Sequence, residues 1–486
     1  GAAPDEPAHY VKALGAGGGD VVGAPLPGES RSPEQRRWGA TSLQMAWQQR
    51  TSRVFEVPPS LAPPPSLSCN AFLTEVSSQC RDQGERVPPP SAQASYIGTY
   101  QPFLYLAPGS AARLADDPSA GMLLARAAGA LLVVSLLALA GAVLWDRAAG
   151  AVSLFGLLLA VTPMVVFLAS AVSASGAEVA AGVCYLAAVL RLARPRPPTT
   201  RAWTALALGG TVLSLSRPLG PVWVVLGVAV LAVVAGVRRS RAIARAGGVR
   251  AAAAAAIIAV GVVSSLAWEL TQQIHPGTDI RMVVEGIVPS LRELPEMYRQ
   301  HVGVFGWLDT QMPLEGYIVW TLGLVLLLVP AIVLGTARQR AVLAVLVVAT
   351  GVICVAGSAA LIRPTGFGMQ ARYVLPLAVV VPLFAGEVLR SHWSRLPSSM
   401  ARGVLWSAAG FVTAVQLLAW YANARRHAVG TAGPWLFLGV SEWQPPLGWL
   451  PWMILAVAGS GLVLIAVAVS SSSEPALPAL DDAKAR

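Results

Sequence analysis

The sequence predicts an all-α polytopic membrane protein: a transmembrane helix bundle with a large extracytoplasmic first loop. Three observations carry this. Of 486 residues, 55% are hydrophobic and only 12% charged. Mean hydropathy is positive, at +0.60, as expected of a chain that lives in lipid. Apolar runs of about 20 residues, the length a bilayer requires, recur from residue 121 onward. The net charge of +10 does not point to nucleic acid, because the basic residues are neither gathered into a domain nor interleaved with aromatics for stacking.

The chain opens on Pro4-Asp5-Glu6-Pro7-Ala8-His9-Tyr10. Helical spacing puts Asp5 and His9 on one face and Glu6 and Tyr10 on the next, with Lys12 one turn further. A carboxylate followed by Pro is also a plain helix start, and the glycines at 15, 17, 18 and 19 are a plain stop. Capping and chemistry are therefore both open for Asp5 and Glu6. No initiator Met precedes this motif, which carries the expectation of one further N-terminal span.

Residues 1–120 are polar and rich in Pro, Gly and Ser, and read as a loop domain. Within it a helix is expected over Ser32 to Arg50, an extended Pro-rich stretch over Val57 to Pro65, and an interfacial aromatic stretch over Tyr96 to Leu106. Of four cysteines, Cys184 and Cys354 lie in apolar runs, whereas Cys69 and Cys80 share this polar segment. A bridge between the latter pair would imply an oxidising compartment.

The bundle, 121–470, contains eleven apolar runs: 121–144, 151–174, 177–193, 202–216, 218–237, 251–270, 316–335, 341–362, 372–389, 403–424 and 449–470. Connections rich in Arg, such as the one holding Arg238, Arg239, Arg241, Arg245 and Arg250, alternate with long or Arg-poor ones, including 271–315 and 425–448. Positive connections mark the cytoplasmic side, so the long loops and residues 1–120 face outward. The tail 471–486 reads as cytoplasmic and disordered.

Arg217 stands at a Pro break beside the short fourth run, on the disfavoured outer side. That combination reads either as a discontinuous helix lining a polar cavity or as snorkelling to lipid phosphate. Arg363 and Arg372 share its position, and three cations at one face would suit an anionic head group. Glu178 opens the third run, where it complements the helix dipole. The chain has no phosphate-loop signature, no His-Glu-x-x-His and no Cys pair at zinc spacing, which argues against those chemistries.

Seven stretches in order resemble the bacterial membrane family named domain of unknown function 2142. They are the acidic start, Val57-Pro58 to Cys69 and Cys80, Tyr96 to Tyr105, Pro163 to Glu178, Ser216-Arg217-Pro218, Phe305-Gly306-Trp307-Leu308-Asp309-Thr310 and Gln370-Ala371-Arg372-Tyr373-Val374-Leu375-Pro376. That family is similar in layout to GT-C glycosyltransferases, which use polyprenyl-phosphate sugar donors and carry an acidic motif in the first outer loop. The resemblance implies a GT-C-like bundle and a transferase that moves sugar onto a cell-envelope glycan or lipid at the extracytoplasmic face of the bacterial plasma membrane. Asp5 would be the general base, with Glu6 orienting it or joining it around Mg or Mn. Arg217 and Arg372 would hold the donor phosphate, with Arg363, His9 and Lys12 as alternates. Glu178, Asp309 and Tyr373 are accessory candidates. Two other readings remain: a flippase or transporter of a lipid-linked sugar, and an accessory protein that binds glycan. The charge-poor centres of the runs favour the enzyme over the transporter.

Overall fold

The computed structural model describes residues 3, 5–26, 41–82, 90–147 and 149–472. Pro4, most of the expected helix before Ser42, and the tail from 473 lie outside them.

All eleven apolar runs are helical at least in part. Among the described residues, eight helices are long and apolar enough to cross a membrane, or ten if two sharply bent pairs each count as one span. The count differs from eleven for three local reasons. Run 151–174 breaks at Val161-Thr162, where Thr162 caps a new helix beginning at Pro163, and its halves meet at 71°. Run 218–237 becomes Gly220–Ala235, which turns by 111° into the Arg-rich helix Val237–Gly247. The turn is made at Gly236, φ 86°, a left-handed backbone that glycine adopts without steric cost. Helix Thr200–Ser214 is only 15 residues long.

Helix Ala174–Ala193 is the bundle's axis. Nearly every residue in it is buried, and a helix apolar all round is stable only when other helices surround it. Close approach is made by small residues: a Cβ at Gly182 would lie 2.6 Å from Pro376 O, and one at Gly209 2.7 Å from Tyr185 N. Such contacts replace the hydrophobic drive that lipid does not supply between helices.

The first loop packs onto one end of this bundle. Helix Glu6–Gly17 is buried almost throughout, its Tyr10, Leu14 and Ala13 sharing a core with Phe55, Ile97 and Met122. It crosses the helix Leu106–Ala112 so closely that a Cβ on Gly109 would sit 1.7 Å from Ala13 O. A three-stranded antiparallel sheet covers its outer side, in the order Ala24–Pro25, Arg53–Glu56, Ala92–Ser95. Helix Ser42–Thr51 begins with a capping box at Thr41 and Gln44, a reciprocal arrangement that satisfies two orphan N–H groups. The Pro-rich stretch forms two short 3-10 turns, Pro59–Leu61 and Pro65–Ser68, and Cys69 and Cys80 are joined by a disulfide. Residues 97–101 lie over the bundle, with Trp268 Nε1 donating to Thr99 O and Gln101 to Ser265 Oγ.

Helix Ile280–Gly303 and the hairpin Val304–Phe305 with Thr310–Gln311 lie at the same end. At the opposite end Asp146, Arg194, Arg196, Glu387 and Arg390 form an ion-pair network, including Arg194 to Glu387 at 2.8 Å and Arg390 to Asp146 at 2.8 Å.

Candidate functional site

Asp5 occupies the N-cap position of helix Glu6–Gly17, but its side chain makes no cap hydrogen bond. Its carboxylate instead accepts from Arg372 Nη2 at 2.9 Å and from Tyr96 O–H at 2.8 Å. The backbone there is left-handed, with φ 61°, a conformation that strains a residue with a Cβ and is tolerated best by Asp and Asn among such residues. Residues held this way recur at functional sites. The capping reading therefore does not account for the Asp5 carboxylate.

Arg372 is 2% exposed in its side chain and Asp5 25% exposed, so the pair sits just beneath a surface. Burial pushes the Asp5 carboxyl up, but Arg372 beside it and the Tyr96 hydroxyl outweigh this and hold it below its ordinary value.

Arg217 lies in the break between helices Thr200–Ser214 and Gly220–Ala235. It donates to Ser175 Oγ at 2.7 Å and faces Glu178 at 3.3 Å. Its guanidinium stands 5.3 Å from the Tyr100 ring centroid and 4.8 Å from that of Tyr373, while Arg372 stands 5.4 Å from Tyr373. Rings at these distances stabilise cations that have lost water. Nε of each arginine has no hydrogen-bond partner among the described residues; the Glu178 contact with Arg217 is an ion pair without hydrogen-bond geometry. Among the described residues Arg372 Nε therefore remains open to an acceptor, whereas Arg217 Nε faces the Glu178 carboxylate.

His9 closes the cluster, its Nδ1 lying 2.7 Å from the Tyr105 hydroxyl and its ring stacked on Tyr105. Burial drives its pKa down to about 3, so it is neutral at physiological pH and supplies no charge to an anion.

Asp5, His9, Glu178, Arg217, Arg372 and Tyr373 are thus brought together, and the other sequence candidates lie elsewhere. Glu6 is fully buried and makes a two-pronged contact with Arg126 at 2.8 and 2.7 Å, and it accepts the Val172 N–H. That leaves it pinning the N-terminal helix to helix Pro118–Leu144 and to the bend before helix Ala174–Ala193. Glu6→Gln is expected to lower stability by about 3 kcal/mol, because it strands Arg126; denaturation in detergent measures it. Arg363 is half exposed and 3.8 Å from Glu285. Asp309 belongs to the hairpin, accepting from the Phe72 and Trp307 N–H groups and pairing with Arg426 at 3.6 Å.

Lys12 donates to the Val21 and Gly98 carbonyls, between the Phe55 and Trp268 rings. Burial lowers its pKa from 10.5 to about 7. The fold therefore favours the neutral amine, and between about pH 7 and pH 10.5 the unfolded chain binds more protons, so stability rises with pH across that window. The Tm should climb by several degrees from pH 7 to pH 9, and Lys12→Met should flatten the rise.

Among the described residues no group of three or more His, Cys, Asp or Glu is placed to hold a metal. Asp5 and Glu6 are engaged by different arginines.

The fold and this cluster define a multi-pass helical membrane protein with a cation-rich site where its first loop meets the bundle. The profile of the family described as "Predicted membrane protein (DUF2142)" matches residues 1–381, and the chain belongs to that family. No curated protein and no solved structure matches it.

Proposed function

We propose that the protein is a GT-C-type glycosyltransferase that takes a sugar from a polyprenyl-phosphate donor and passes it to a cell-envelope acceptor at the outer face of the bacterial plasma membrane. The observation that supports this reading is the convergence of the half-buried Asp5 carboxylate with two buried arginines, Arg372, which pairs with Asp5, and Arg217, which pairs with Glu178. A phosphate needs several fixed donors, and a displacement at an anomeric carbon needs one base close by. The Arg-rich connections lie at the end opposite this site, which supports an outer face for the site under the positive-inside rule.

In the reaction, the acceptor hydroxyl oxygen attacks the anomeric carbon and forms the new C–O bond. The bond from that carbon to the phosphate oxygen breaks, and its electron pair leaves with polyprenyl phosphate. The hydroxyl proton passes to Asp5. Arg217 and Arg372 meet the charge that develops on the departing phosphate.

Asp5 starts as a weak base, because Arg372 stabilises its ionised form. A donor phosphate competes with it for that guanidinium. Once Arg372 turns to the phosphate, the Asp5 carboxylate loses its cation and becomes a better proton acceptor, so base strength is coupled to donor occupancy.

The test is donor consumption by the purified protein in liposomes, with a panel of polyprenyl-phosphate sugars and a cell-envelope acceptor. Turnover by wild type, lost in Asp5→Asn, supports the transferase. Donor binding with no turnover by either protein would instead favour a flippase or binding protein.

A further inference from the structure

The connection between helices Gly220–Ala235 and Val249–Gln272 is itself a helix, Val237–Gly247. It leaves the preceding span at 111°, so it runs near the plane of the membrane surface and slightly back toward the bilayer. Arg238, Arg241, Ala242 and Arg245 share one face by helical spacing, and all four are exposed. Ile243, on the other side, is buried in the core of the bundle, and Arg239 donates to Arg194 O at 2.8 Å. The helix is therefore held with its basic face turned out. Arg250, on the next helix, and Arg338, which donates to Val233 O at 3.2 Å, are exposed at the same corner. Asp146 and Glu387 at this end are taken by Arg194, Arg196 and Arg390, and among the described residues no carboxylate pairs with Arg238, Arg241, Arg245 or Arg250. Beneath the helix, Val225, Val228 and Val233 of one neighbour and Ile257, Val260 and Val263 of the other are exposed, an apolar wall that a membrane would cover with lipid.

We propose that this corner binds the anionic phospholipid head groups of the leaflet it faces, its arginines holding phosphate oxygens while the acyl chains lie on the wall below. Orientation of a span requires only an excess of positive charge near its ends. Here unneutralised guanidiniums are arrayed on a fixed helix in the membrane plane, directly above a lipid-facing wall. Each basic residue at such a surface favours acidic lipid by roughly fivefold, and a guanidinium adds a two-pronged grip on phosphate. Nucleic acid fits the surface less well: Val237–Gly247 carries no aromatic ring on which a base could stack, and the apolar wall offers it nothing. The inference stands apart from the transferase reading and survives its failure.

The test is photocapture by the full chain, with p-benzoylphenylalanine in place of Ala242, in nanodiscs that hold equal amounts of phosphatidylglycerol and phosphatidylcholine. Mass spectrometry of the intact protein identifies the lipid attached. A control carries the same probe in place of Leu450, which is exposed at the other end of the bundle. The expected result at 242 is an excess of phosphatidylglycerol of about tenfold or more, with no such excess at 450. Combining Arg238→Gln, Arg241→Gln and Arg245→Gln should bring the ratio at 242 close to one, while the three corresponding Lys substitutions keep most of it. Unchanged capture at 450 shows that the Gln triple still inserts; where it does not, the single Gln variants decide, each lowering the ratio several-fold. Equal capture of the two lipids at 242 by the wild-type arginines overturns the proposal, as does an excess that persists in the Gln variants or appears equally at 450. Capture of lipid at 450 but none at 242 overturns it too, and would turn the basic face to water and a soluble acidic partner.

Discussion

Asp5→Asn is expected to lower sugar transfer by about 10²–10⁴-fold, the range that a positioned general base contributes, while the protein still inserts and folds. Asn keeps the size of the side chain and tolerates the left-handed backbone at φ 61° about as well as Asp; its single amide oxygen can still accept from Arg372 while its NH2 donates to the Tyr96 hydroxyl. What it loses is the ability to take a proton. Donor binding should survive, because Arg217 and Arg372 remain and one of them is freed from a competing carboxylate. The informative measurement is therefore a pair: turnover together with donor affinity. Loss of turnover with affinity kept or improved assigns the base. Retained turnover would remove Asp5 from the chemistry and leave it as an anchor for Arg372.

The second large effect is expected at Arg372. Replacing it with Met should reduce turnover by about 10²–10³-fold, as removal of a donor to developing negative charge does elsewhere. It also takes the cation away from Asp5, so the Asp5 pKa rises and the acid limb of the kcat/KM profile moves to higher pH. The sign follows from linkage: in the wild type Arg372 favours the ionised carboxylate, and its removal favours the protonated one. The exchange of partners makes a further demand on the wild type. The kcat profile reports the donor-bound enzyme and kcat/KM the free enzyme, so the acid limb of kcat should lie at higher pH than that of kcat/KM. Superimposable limbs would mean that Arg372 never leaves Asp5. Arg372→Lys is the companion variant, since it keeps the charge without the planar fork and separates loss of function from loss of folding.

Much of the architecture was legible because membrane helices announce themselves by length and composition. The runs at 316–335 and 403–424 correspond to helices Leu314–Leu334 and Ser399–Val429. What composition did not convey was continuity. Thr162-Pro163 and Gly236 sit within uninterrupted apolar sequence, and only a hydroxyl cap at one and a positive φ at the other turn a span into a bent pair. In the site, the arginines were legible from their unfavourable position near Pro or in an outer connection. The pairing of Glu6 with Arg126 was not read, because Arg126 lies inside the first apolar run, where a lone cation was itself the signal to follow. Tyr96, Tyr100, Tyr105 and Ser175 were not read as site residues. The cluster of tyrosines between 96 and 105 hinted at a shared environment, but their convergence on His9, Asp5 and Arg217 depends on packing between the loop and the bundle.

The hydrogen bond from Arg372 to Asp5 joins residues 367 positions apart. Contacts so distant in sequence form late, after the intervening chain has been ordered. During synthesis the N-terminal helix emerges first but cannot acquire its cation until Arg372 has been made and the helices between them have inserted. Chains cut short before Arg372 therefore carry the Asp5 carboxylate without its counterion. The N-terminal helix can already pack on Phe55, Ile97 and Met122 by then, so this ion pair completes a segment that is otherwise in place.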